Sequence, residues 1–459
     1  MVFSSILFLF RFMPIAFLLY YLTPKKMKNL ALFVLSLIFY SWGEPKYFPI
    51  MLLSVIIDYT VGQGIKRNPN NVTKKRLFLL VSIFANLGLL FFFKYTNFFV
   101  GNINSLLGTQ WSGIVVEKLP LGISFYTFQT MSYSIDVYRG KVEAEDNIIN
   151  FGAYVVMFPQ LIAGPIVTYA DVSRELKYRE ITLAQIDDGV RLFIMGLGSK
   201  VLIANNIGSL WTEVQMLGFA NVSTPLAWLG VLAFSLQIYF DFSGYSLMAI
   251  GLGKMLGFQF PQNFNYPYIS RSITEFWRRW HMTLGSWFRE YVYIPMGGNR
   301  VKPARHIFNM FVVWFLTGFW HGANWNFILW GLYFFTFLVI EKRFLKQYLD
   351  KSQVLSRVYT LSIVIVSWAI FAVSGMEELK GLFSKMFAFQ WGGDWLYYLQ
   401  NYGITFILAV ICSTPVLKKM YEKWGSIQWL KAGFLMVVAV ISVAYLVDST
   451  YNPFLYFNF

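Results

Sequence analysis

His321 lies in Phe319-Trp320-His321-Gly322, inside a run from Ile307 to Ile340 that holds no Asp, Glu, Lys or Arg. Imidazole is the side chain whose ordinary pKa lets it take and return protons near neutrality. Burial disfavours its charged form. A neutral, desolvated histidine has the protonation state of a general base that removes a proton from a hydroxyl or thiol. The competing reading is a core histidine whose ring nitrogens bond to backbone carbonyls. The neighbours favour chemistry: Gly318 and Gly322 allow close backbone approach, and Trp320, Asn324 and Trp325 add stackable and polar groups.

A second constellation is Phe276-Trp277-Arg278-Arg279-Trp280-His281, followed by Trp287-Phe288-Arg289-Glu290-Tyr291. Interleaved Trp and Arg suit an interfacial helix, with rings at headgroup depth and guanidinium groups toward phosphates. They equally suit a vestibule that grips a phosphorylated ligand, because arginine matches phosphate bidentately. Trp277, Arg278, Arg279 and Trp280 are then candidate substrate-binding residues. His281 faces that vestibule or joins a surface network with Glu275 and Arg278. A third feature is Asp241 in Tyr239-Phe240-Asp241-Phe242-Ser243-Gly244-Tyr245, midway along an apolar run. An intramembrane carboxylate must be neutral or paired. Bracing the bundle through an arginine or histidine is the expected role, with direct contact to substrate as the alternative. His306, beside Arg305, reads as structural. The three histidines have no close metal-ligand spacing and no cysteine partners, so no metal site is expected. Walker A, dinucleotide and Gly-x-Ser-x-Gly motifs are absent from the sequence.

The elements that hold these residues are membrane helices. Of 459 residues, 57% are hydrophobic and 13% charged, which indicates a polytopic membrane protein. The net charge of +15 sits mainly in short loops, which argues for topogenesis, lipid headgroups or an anionic ligand and against nucleic acid. Cys412, the single cysteine, allows no intramolecular disulfide. Apolar segments fall near 2–22, 29–42, 46–64, 77–100, 119–137, 148–166, 187–210, 226–257, 307–320, 324–340, 358–375, 401–417 and 432–447. The first reads as a retained membrane helix.

Basic loops at 25–28, 66–76, 271–305, 342–357 and 418–431 belong in the cytoplasm under the positive-inside rule. Alternation then fails by one before residue 271. The segment 148–166, broken by Pro159, Gly164 and Pro165, is the one expected to re-enter and not cross. The inbound arm before His321, 307–320, is about 21 Å of helix and too short for a full crossing. The expected architecture is all-α, with about eleven transmembrane helices plus re-entrant segments in one domain over 1–459. Both termini are external, and the aromatic tail 448–459 lies outside.

Read together, several stretches resemble the membrane-bound O-acyltransferase family, in its bacterial branch that O-acetylates alginate and peptidoglycan. They are Pro120-Leu121-Gly122-Ile123-Ser124-Phe125-Tyr126-Thr127-Phe128-Gln129, 158–166, the Asp241 motif, 263–268, 275–299 and Trp320-His321-Gly322-Ala323-Asn324-Trp325. The resemblance implies helices around a central funnel, with His321 as the family's intramembrane histidine and His281 as its second. It implies a donor arriving from the cytoplasm, acetyl-CoA as substrate with no bound cofactor, and an acyl group leaving at the outer face.

The ending Phe454-Leu455-Tyr456-Phe457-Asn458-Phe459 is similar to the Phe-x-Tyr-x-x-Phe ending of partner peptides in D-alanylation systems. That likeness makes Tyr456 a candidate acyl relay; an interfacial aromatic anchor is the alternative. The expected function is O-acetylation of an exported or cell-envelope polysaccharide at a bacterial plasma membrane. The expected partner is an external SGNH-type serine acetyltransferase. D-alanyl transfer to teichoic acid, and lipid or polysaccharide transport without acyl chemistry, are the competing functions.

Overall fold

A computed structural model describes residues 2–111, 116, 118–162, 164–423, 427–448 and 455. These residues form helices and, among them, no strand. They divide into two compact units, 1–193 with 247–261 and 194–246 with 262–459. Seven described helices are long and apolar enough to cross a membrane, namely Phe48–Lys66, Val72–Leu107, Leu183–Leu217, Thr224–Met255, Gln353–Ala372, Asp394–Cys412 and Gln428–Asp448. The chain is thus a multi-pass membrane protein. The difference from eleven crossings lies in short or broken segments. Phe8–Leu22 is apolar but short. Ile148–Val156 stops at Met157 and resumes only over Phe158–Leu161. Nine residues make about 14 Å of helix, so this segment does not cross as one helix.

In the first unit, Phe48–Lys66, Val72–Leu107 and Ile123–Arg139 pack around a buried carboxylate. Asp58 accepts from Ser134 Oγ at 2.6 Å, from Asn86 Nδ2 at 2.7 Å and from Ser82 Oγ. Thr130 Oγ1 donates to Asn86 Oδ1 at 2.8 Å and extends the network. Unsatisfied polar groups are costly away from water, so each donor fixes where its helix lies. A Cβ at Gly62 would come 2.6 Å from Tyr133 Oη, so a side chain there would have to displace the buried Tyr133 ring.

The second unit holds both histidines. Pro303–His321 and Trp325–Ile340 form an antiparallel hairpin. Gly318 and Gly331 face each other across it. A Cβ at Gly331 would lie 2.4 Å from the Trp314 carbonyl oxygen, and one at Gly318 would lie 2.3 Å from that of Phe327. Around the hairpin the core is aromatic, with Trp280, Trp330, Phe334, Trp368 and Phe371 buried together. Three π-helical turns interrupt this unit, at Ser199–Asn205, Arg289–Tyr293 and Glu341–Leu345. Such turns shift the side-chain register and recur at functional sites. Here they carry Lys200, Arg289 and the pair Glu341 and Lys342.

Candidate active site

Two short helices, Ile273–Arg279 and Met282–Phe288, meet at His281. The first is fixed at its start. Ser272 accepts from the Glu275 N–H at 2.9 Å. The buried Glu341 carboxylate accepts from Ile273 N at 2.6 Å, Thr274 N at 3.1 Å and Thr274 Oγ1 at 2.7 Å. A carboxylate there satisfies N–H groups that no helical turn can reach and complements the helix dipole. At the other end, Asn265 N–H donates to Arg279 O at 2.9 Å.

His281 adopts φ 44° and ψ 53°, a left-handed conformation uncommon outside glycine but tolerated by histidine. The turn is held by Met282 N–H donating to Asn263 O at 2.9 Å. Asn263 also sets the tautomer. Its Oδ1 accepts from the Thr283 backbone N–H at 3.3 Å and from Thr283 Oγ1 at 3.0 Å, while its Nδ2 donates to Ser246 Oγ at 3.1 Å. A backbone N–H can only donate, so the amide oxygen is the atom facing His281 Nδ1, 3.1 Å away. Nδ1 therefore donates and the lone pair sits on Nε2. Burial pushes His281 down to about 3, so the ring is neutral at physiological pH.

His281 opens on a cavity of about 1110 Å³. Arg278, Arg289, Arg300 and Lys342 line it with Trp277 and Trp314, and no carboxylate is among its described lining residues. The volume exceeds the roughly 300–1,000 Å³ of ordinary ligand pockets. Arg300 sits on a turn at Gly297 and Gly298, with φ of 98° and 58°. Asn309 Nδ2 ties that turn to the histidine helix by donating to Met296 O at 3.1 Å and Gly298 O at 3.0 Å. Along that helix His306, Val313, Trp314 and Thr317 line the cavity. Position 321 follows Thr317 by four residues and so continues the same face one turn deeper.

His321 is 4% exposed. Its ring lies edge-on to Trp320, Trp330 and Phe371, with centroids 5.1, 5.1 and 5.4 Å away. Trp320 also meets His281, at 6.1 Å, so one indole contacts both imidazoles.

The other sequence candidates spread away from this point. Trp277 and Arg278 reach the cavity, whereas Arg279 pairs with Glu275 at 2.8 Å and donates to Asn265 O. Neighbours on a helix point about 100° apart, and that separates the two arginines. Trp280 is core, stacked on Phe276 at 5.6 Å and near Trp368 at 4.7 Å. Asn324 caps the return helix by accepting from the Trp325 N–H. Asp241 is paired, but its cation is Lys200, 2.5 Å away, and not an arginine or histidine. Lys200 and Asp241 occupy the middles of two long apolar helices, which places them at matching depth. Two opposite charges at the centres of separate apolar runs were the sequence signal for this pair. Tyr456 lies outside the described residues. The sequence reading quoted Asn263 only within 263–268 and gave no role to it or to Glu341, which starts the π-helical turn Glu341–Leu345. It placed Arg289 in the Trp-Arg constellation, and held Arg300 and Lys342 only within the basic loops 271–305 and 342–357.

A model of the membrane-bound O-acyltransferase family matches residues 39–376. The chain is 37% identical to the probable alginate O-acetylase AlgI of Pseudomonas putida, across 100% of both chains. It is 40% identical to the protein of that name in Azotobacter vinelandii, over 86% of this chain and 79% of the other. With the peptidoglycan O-acetyltransferase of Helicobacter pylori it shares 31% identity, over 100% of this chain and 98% of its relative.

Proposed function

The chain belongs to the membrane-bound O-acyltransferase family, and on that premise we propose that it moves acetyl groups from cytoplasmic acetyl-CoA outward, for O-acetylation of a cell-envelope or exported polysaccharide. It works in a bacterial plasma membrane with both termini outside. The observation that carries this reading is the cationic cavity with a neutral histidine in its wall. Four fixed cations and two indoles around 1110 Å³ suit a ligand with several phosphates and an aromatic base. The face of the histidine helix leads from this cavity toward His321.

His321 acts as general base. In the first transfer it takes the phenolic proton of Tyr456, and the phenolic oxygen attacks the thioester carbonyl carbon. The C–S bond breaks, and the CoA sulfur leaves with the proton from His321. The acetyl group is then an ester on Tyr456. In the second transfer the hydroxyl of an external SGNH-type serine acetyltransferase attacks that ester. Tyr456 regains its proton, and the serine passes acetyl to the polymer. Splitting the reaction in this way follows the general logic of covalent relays. Full-length identity to alginate and peptidoglycan O-acetylating relatives favours acetyl as the group and a polysaccharide as the acceptor.

The test supplies labelled acetyl-CoA to membranes holding wild type, His321→Ala or Tyr456→Phe, with partner and envelope present. His321→Ala should lower label transfer by about 100-fold or more, the scale of a lost general base. Tyr456→Phe should abolish label on the protein. Transfer that persists in Tyr456→Phe discards the relay and keeps the acetyltransferase. No transfer by wild type overturns acetyl-CoA as donor.

A further inference from the structure

We propose that Lys28 and Arg179 form a phosphate-binding site on the first unit, suited to the phosphate of a membrane-lipid headgroup or to free phosphate. The site is built around one phenol. Lys28 Nζ donates to the Tyr20 backbone oxygen at 2.9 Å and lies 4.4 Å from the centre of the Tyr20 ring. The Arg179 guanidinium carbon lies 5.7 Å from the same ring and 4.5 Å from that of Phe258. Asn29 Nδ2 donates to Leu176 O at 2.8 Å, which ties the segment carrying Lys28 to the one carrying Arg179. The phenol is itself anchored, because Tyr20 Oη donates to Leu256 O at 2.7 Å and Tyr21 Oη donates to Met255 O at 2.8 Å. Gly257 makes room for the arginine stem. Its φ is 87°, and a Cβ there would come 2.6 Å from Arg179 Cγ.

Neither cation forms an ion pair with a described carboxylate. Glu175 is the acid that acts on Arg179, yet what it gives the guanidinium is its backbone oxygen, which accepts from Nη1 at 3.2 Å. Arg179 Nε is buried, and Nη2 is the donor left facing out. Both side chains are only partly buried, so a ligand reaches them from outside. Arg179 and Lys25 are the positive charges that act on the Lys28 ammonium. Cations drawn together repel, and an anion relieves that repulsion. Phosphate fits the pair, since a guanidinium matches its oxygens and an ammonium adds a compact charge. The setting favours a lipid as its source. The apolar helix Phe8–Leu22 ends three residues before Lys25. The positive-inside rule puts that basic loop at the inner leaflet, whose anionic lipids attract such segments. Leu18, Leu19 and Leu22 are exposed along the same helix and give an acyl chain an apolar bed.

The experiment follows the thermal midpoint of the full-length protein in detergent as a probe is added. The probes are short-chain phosphatidylglycerol, inorganic phosphate and the matching diacylglycerol, which has the chains without the phosphate. A ligand that binds only the folded state raises the midpoint as its concentration passes its dissociation constant. Phosphatidylglycerol should do so. Arg179→Gln and Lys28→Gln should each weaken its apparent affinity about tenfold or more, the scale of one lost charge-assisted hydrogen bond. Lys177→Gln, which removes an exposed cation two residues from Arg179, should change it about twofold at most.

A pair of cations that merely clasps the end of the helix would lower the midpoint in both variants and leave its dependence on probe unchanged. That result overturns the site, as does the absence of a shift with any probe. A shift by diacylglycerol equal to that by phosphatidylglycerol overturns it too, because the chains alone would then account for binding. Weakening by Lys177→Gln as large as in the other variants replaces the site with diffuse surface charge. A shift by phosphatidylglycerol alone assigns the phosphate to a lipid, and an equal shift by inorganic phosphate assigns it to solution; both support the site. If Arg179→Gln does not fold, Lys28→Gln decides by itself.

Discussion

His281 is buried as a neutral ring, and that has a consequence for stability. Its folded value is about 3 against 6.5 ordinarily, with desolvation as the cause. Between those values the unfolded chain binds a proton that the folded chain does not. The contribution of this residue to stability is therefore complete above about pH 6.5 and is lost as pH falls toward 3. We expect the thermal midpoint to decline on acidification from pH 7 to pH 4. His281→Gln, which can still donate to Asn263, should flatten part of that slope. The check is the difference in midpoint between wild type and variant, followed across pH. A difference independent of pH would remove His281 as its source. Because the ring is neutral throughout the physiological range, it does not supply the acidic limb of an activity profile near neutrality.

At the scale of elements, the hairpin of Pro303–His321 and Trp325–Ile340 decides where His321 sits. Its two helices approach closely because Gly318 and Gly331 present no side chains. A methyl group at 331 would lie 2.4 Å from the Trp314 carbonyl oxygen, which is backbone and cannot step aside. Gly331→Ala should cost about 1–3 kcal/mol, as overpacking does. It should also displace His321 and lower transfer, whereas an alanine at the open position Gly433 should do neither. Thermal midpoints and transfer rates of the two variants decide it. A Gly331→Ala protein with wild-type midpoint and activity would show that this crossing does not set the site. The Trp-Arg helix depends on a different device. Seven residues cannot hold a helix by themselves, so Glu341, from the end of the return helix, adds its carboxylate to the Ser272 cap.

At the scale of the whole molecule, an intramembrane ion pair and a backbone contact from Leu455 converge on Asp241. Removing one member of a buried pair strands the other and costs about 3–5 kcal/mol, whereas replacing both with apolar residues is often neutral. Asp241→Leu alone should therefore reduce the folded yield, and adding Lys200→Leu should restore it. Monodisperse protein recovered by size-exclusion chromatography is the measure. A double variant no better than the single would mean the two charges do not act as a pair. The same logic applies to the +15 charge of the chain. Part of it lines the cavity of the second unit, where four cations sit without a described carboxylate among them. Clustered like charges repel, so their convergence is stable only if an anion shares the space or water screens it.

Composition, apolar run length and the clustering of Lys and Arg were enough to make this a multi-pass helical membrane protein and to single out His321, His281 and Asp241. Those signals are local: hydropathy is summed along the chain, and a polar residue inside an apolar run is visible without a fold. Sequence spacing also exposed the break in 148–166, because proline and glycine act on their own neighbourhoods. It could not say that Arg278 faces the cavity while Arg279 pairs with Glu275, since that depends on which side of a seven-residue helix is covered. Nor could it bring Leu455 to a carboxylate 214 positions earlier. Asn263 and Glu341 were silent for the same reason. Their roles are acceptor positions that exist only once distant backbone N–H groups and ring nitrogens have been brought within hydrogen-bond reach, and tertiary packing alone sets those distances.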